Sequence, residues 1–123
     1  MAAQNGEAVD RAHLARVLED VGERTLRRYA LAYLDLLPGR LERIRQAAVS
    51  ANTAEALRVL FDLRASSSML GAGRLAAAAS WLEATVRSGL APEPAQLAAL
   101  RTEARVVQAR LRDLLDGELP GAR

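Results

Sequence analysis

The chain has 123 residues, a formal net charge of +2, no cysteine and a single histidine, His13, and half of its residues are hydrophobic. That length allows one modest core, and that composition excludes disulfides, thiolate chemistry and a zinc site of the usual kind. The 17 basic residues, all arginine, are scattered among 15 acids, and no run approaches the ~20 apolar residues of a membrane span, so neither nucleic acid nor membrane is an expected partner.

No charged stretch followed by a long apolar run opens the chain, and a cytoplasmic location is expected. Ile44 is the only isoleucine, and the aromatic residues are Tyr29, Tyr33, Phe61 and Trp81. A core of leucine, alanine and valine suits closely packed helices rather than a sheet. Residues 1–9 and 117–123 read as flexible tails around one domain at 10–116.

Leu14, Val17, Leu18 and Val21 recur at helical spacing behind Asp10, an N-cap residue, until Gly22 interrupts. From Glu23, the residues Leu26, Ala30, Tyr33 and Leu37 share one face, and Leu41, Ile44 and Ala48 continue it. Pro38-Gly39 falls between, so 23–50 is expected to be one long helix with a mid-point defect. Asn52 or Thr53 caps a third helix, with Glu55 in its first turn, ending near Gly71. A fourth, at about 73–88, presents Leu75, Ala79, Leu82 and Val86. Pro92-Glu93-Pro94 then starts a fifth helix, which turns Leu97, Leu100, Ala104, Leu111 and Leu115 inward and stops by Gly117. Four long amphipathic helices with short connections predict an all-α, antiparallel four-helix bundle, with the short first helix across one end. Trp81 and both tyrosines lie on or beside apolar stripes and are expected in the core.

The third helix carries the functional signal. With Leu63 at the centre of its buried face, Ala56, Val59, Leu60, Ser67 and Leu70 fall within about 60° of it at 100° per residue. Phe61 falls roughly 160° away, in line with Ala54, Arg58, Ala65 and Ser68. The chain's only phenylalanine is thus expected to face solvent at mid-helix. Leu57 lies at the edge of the same face, and Arg58 and Arg64 flank the ring. An apolar surface rimmed by arginine suits docking of another helix or domain.

The stretch from Phe61 to Ala72 resembles the signature of histidine-phosphotransfer domains, His-x-Leu-Lys-Gly-Ser-Ser/Ala-x-x-Leu/Val-Gly. Leu63, Ser66, Ser67, Leu70, Gly71 and Ala72 match it, and Arg64 stands in for the lysine. The similarity extends to Leu18–Gly22, to Tyr33–Ile44 with its proline, to the Asn52 cap, and to Leu75 and Leu82-Glu83. It spans about residues 10–116. The departures are Phe61 at the histidine position and Ala65 at a glycine. A phenyl ring has no lone pair and forms no phosphoramidate, and Asp62, about 100° round the helix, is no substitute. The resemblance therefore implies a domain of this fold that relays no phosphate. It would bind a response-regulator receiver domain or a histidine kinase through Phe61, Leu57, Arg58, Arg64, Ala65 and Ser68.

A different reading of the same face is pairing across a two-fold axis in a homodimer. Catalysis is not expected, since no nucleophile–base pair, metal cluster or cofactor motif is visible. Ser66-Ser67-Ser68 reads as close helix packing, with Ser66 and Ser67 towards the core. Gly71-Ala72-Gly73 is a helix-terminus signal without the lysine of a phosphate loop. His13, on the flank of the first helix, is expected to be an ordinary surface histidine.

Overall fold

Leucine-rich amphipathic segments interrupted at Gly22, Ala51-Asn52, Gly71 and Gly89 fold into five helices in the computed structural model, which describes residues 7–117 and 119. They are α1 (Arg11–Val21), α2 (Glu23–Val49), α3 (Thr53–Met69), α4 (Gly73–Arg87) and α5 (Pro94–Asp116). The described residues include no strand. Helices α2 to α5 pack in sequence, with α5 closing back on α2, and the connections are short. This is the expected antiparallel four-helix bundle with α1 added at one end. No helix among the described residues is long and apolar enough to cross a membrane.

Each boundary has a local cause. The Asp10 side chain accepts from the His13 N–H at 3.1 Å, capping α1. Gly22 (φ 87°, ψ 160°) turns the chain straight from α1 into α2 in a backbone conformation almost confined to glycine. Pro38 lies inside α2 without breaking it. Proline has no N–H to return to the Leu34 carbonyl, so the expected defect amounts to one missing hydrogen bond. Asn52 accepts from the Glu55 N–H at 3.2 Å, fixing the start of α3. At the start of α5 the Glu93 N–H donates to Gln96 Oε1 (2.9 Å), while Gln96 Nε2 reaches back to Thr85 on α4 (2.8 Å). The far end of α5 is held by Arg27, which donates to the carbonyls of Leu115 (2.6 Å) and Gly117 (3.2 Å), a favourable place for a cation.

One core runs the length of the bundle, from Leu14 and Leu26 through Leu37, Leu60, Leu63 and Leu82 to Leu100 and Leu111. Val9 and Leu119 belong to it, so packing extends beyond 10–116 at both ends. Of the expected tails, 1–6, 118 and 120–123 lie outside the described residues. On α5 the buried face is centred on Leu100, Ala104, Val107, Leu111 and Leu114, with Leu97 and Leu115 only partly covered. Val21 is exposed rather than inward.

The aromatic expectation holds for one residue of three. Tyr33 is 2% exposed, whereas Trp81 is 52% exposed and Tyr29 lies at the surface. The reason is phase. Trp81 falls roughly 160° from Ala79, the centre of the buried face of α4. Burying an indole there would require rotating Leu75, Leu82 and Val86 out of the core.

Candidate docking site

Phe61 sits at the middle of α3 with 52% of its surface exposed, while its neighbours Leu60 and Leu63 are fully buried. The two leucines lock the helix phase, and the phase turns the ring outward. Arg58, Ala65 and Ser68 are exposed around it, and Arg64 is half-buried. Leu57 is turned further in than the sequence reading has it, packing against a small cluster of Ala47, Ala56 and Val86.

The two arginines beside the ring differ in anchorage. Arg58 bonds Glu55 at 2.8 Å and lies 3.9 Å from Asp62, all on the exposed side of α3. Arg64 instead reaches across to α4. Its Nε donates to Glu83 Oε1 at 2.5 Å, and its Cζ lies 5.2 Å from the Phe61 ring centroid, within the range of a cation–π contact. Glu83 is 2% exposed. Its hydrogen bond and charge push the Arg64 pKa still higher, so the guanidinium is a permanent cation. The second Glu83 oxygen, Oε2, has no hydrogen-bond partner, and Arg87 Nη2 stands 3.8 Å from it.

On the other flank of α3, Ser66 Oγ donates to the Asp62 carbonyl (2.7 Å) and accepts from Arg40 Nη1 of α2 (3.2 Å). Ser67 is fully buried, with its hydroxyl on that of Tyr33. The serines thus act as helix packing and back-bonding groups, as their small size predicts, and Ser66 sits at the rim rather than in the core. His13 is not simply a surface side chain. Its Nε2–H donates to the Met69 carbonyl at 2.8 Å, and the neighbouring Asp10 N–H donates to Gly71 O at 2.9 Å. Together they pin α1 to the end of α3. Among the described residues no group of three or more His, Cys, Asp or Glu side chains could hold a metal ion.

The arrangement thus offers a recognition surface: one apolar ring, one cation bonded to a buried carboxylate, one cation paired with exposed-side carboxylates, and low side chains at Ala65 and Ser68. Sequence reasoning found Phe61 and Arg64 but missed Glu83 and Arg87, which come from the next helix. A signal existed. Glu83 lies only about 40° from the centre of the buried stripe of α4, and an acid in that position calls for a cation partner. No family model matches the chain, nor does any curated protein or solved structure.

Proposed function

We propose that this protein is a phosphotransfer-type domain that has lost phosphotransfer and works by docking, with the receiver domain of a response regulator as its partner. The observation that carries the reading is Phe61, an exposed apolar ring at the position where the resemblance requires the phosphate-accepting histidine. Nothing about a phenyl ring can accept or release a phosphoryl group. The same ring can fill an apolar recess on a partner, with Arg58 and Arg64 as a charged rim and Ala65 and Ser68 leaving room for close approach. Without covalent transfer, any effect on the partner comes from unequal affinity for its phosphorylated and unphosphorylated forms.

The test is binding of receiver domains from the same genome, each with and without a phosphoryl mimic, to the wild type and to Phe61→Ala. Receiver binding weakened by about 1 to 3 kcal/mol on truncating the ring is the expected result for an interface hot spot. Unchanged affinity places the interface elsewhere. Sedimentation over a range of concentrations is run in parallel, and a wild-type dimer abolished by Phe61→Glu would assign the same face to self-association.

A further inference from the structure

Buried Glu83 is more than the packing of the bundle requires. An apolar side chain at this position of α4 would pack the bundle without a carboxylate to neutralise. The acid is 2% exposed, bonds Arg64 through one oxygen, and has no hydrogen bond at the other. A carboxylate this far from water is tolerated only while a cation stays with it. Arg64 is therefore not free to sweep through solvent as a surface arginine does, because its departure would take from the buried carboxylate the hydrogen bond at Oε1 and leave only the longer ion pair to Arg87. Arg87, at 3.8 Å, is too distant to supply the missing hydrogen bond.

Held in this way, the Arg64 guanidinium lies against the Phe61 ring. It covers part of one ring face and restricts the positions the ring can take. Only its Nε is bonded to Glu83, so the two terminal nitrogens remain available beside the ring. Arg58 provides the contrast, since its partners Glu55 and Asp62 are themselves partly exposed.

We propose that Glu83 is a positioning residue that presets Arg64 and Phe61 as one rigid platform for a partner presenting an acidic group beside an apolar recess. The proposal rests on the docking reading above for the partner, though not for the platform. Presetting lowers the ordering cost of binding, because neither side chain has to be immobilised when the partner arrives.

The experiment is NMR on the isotope-labelled full chain, followed by receiver binding. In the wild type, the Arg64 Nε–H should exchange with water at least about tenfold more slowly than that of Arg45, which is bonded to the exposed Glu42 carboxylate at 3.1 Å, as expected for a bond to a buried rather than an exposed acceptor. The Arg64 side-chain protons should show an upfield ring-current shift that disappears in Phe61→Leu. Glu83→Met, which removes the charge and keeps an apolar filling, should abolish both signatures and weaken receiver binding by about tenfold.

Arg64 exchanging as fast as Arg45 in the wild type overturns the proposal, and that measurement stands even if Glu83→Met does not fold. Unchanged receiver affinity in a folded Glu83→Met with a released Arg64 also overturns it. If no receiver binds the wild type while both Arg64 signatures are present, the docking reading fails and the positioning by Glu83 stands.

Discussion

The hydroxyls of Tyr33 on α2 and Ser67 on α3 meet at 2.8 Å inside the bundle, at 2% and 0% exposure. Each hydroxyl is the other's hydrogen-bond partner, buried among leucines of the core. Ser67→Ala leaves the Tyr33 hydroxyl without its partner and should cost about 1 to 3 kcal/mol of stability by denaturant unfolding. Adding Tyr33→Phe removes the orphan as well, so the double variant should lose less than the sum of the two singles. Additive losses would mean that the hydroxyls do not depend on each other.

Burial pushes the Tyr33 pKa up to about 12, against the smaller opposing effects of the Ser67 hydrogen bond and the Arg40 charge. The unfolded chain ionises this phenol near pH 10, whereas the folded chain holds it neutral. Stability should therefore be complete below about pH 10 and fall between about pH 10 and 12, by roughly 2 to 3 kcal/mol. The chain has no lysine and no cysteine and arginine stays charged throughout, so the other side chain titrating in this window is Tyr29, which burial also pushes up. Urea unfolding across this range should show the decline in the wild type and a much flatter profile in Tyr33→Phe.

Gly71 has φ +77°, and a Cβ there would lie 3.2 Å from both the Asp10 carbonyl and His13 Cδ2. Gly71→Ala therefore combines left-handed backbone strain with a tight contact against the residues that clasp α1. A loss of about 1 to 3 kcal/mol is expected. Amide exchange should quicken chiefly in α1. Uniform quickening across all five helices would show that α1 is not a separable unit.

If Phe61 stands where a relay histidine once stood, the chemistry should be recoverable. In Phe61→His with Ala65→Gly, the imidazole nitrogen should attack the aspartyl phosphate of a bound receiver, expelling the carboxylate and keeping the phosphoryl group. The readout is transfer of labelled phosphoryl from a receiver that also binds the wild type, which itself should take none. A receiver that binds both proteins but never transfers to the variant would mean that the ring is not aimed at the aspartate.

Much of this molecule is legible in its sequence because helical phase is dictated by one face at a time. The outward position of Phe61 and the inward position of Ser67 follow from stepping round α3 from Leu63. What escaped were features set by a neighbouring helix or by a choice between adjacent residues. Leu114 rather than Leu115 is fully buried on α5, a difference in rotation that depends on how α4 and α2 seat against it. Leu119, beyond the Gly117 cap, folds back into the core, and no local periodicity announces a single residue after a helix has ended. Glu83 was visible only as a match to a pattern. Its burial against Arg64 depends on the pairing of α3 with α4. Trp81 shows the opposite error, with hydrophobicity taken above phase.

The outward Trp81 also determines what light can report about this protein. Its indole is the only one in the chain and sits beside Leu90 and Gln96 at the junction of α4 with the loop into α5. Its emission should therefore already be that of a hydrated ring in the native state, and change little when the core melts. A ligand or partner covering that corner would shift the emission strongly, whereas one seated only on Phe61 would leave it dark to the event. The native optical probe of this bundle thus watches a face other than the one proposed to dock.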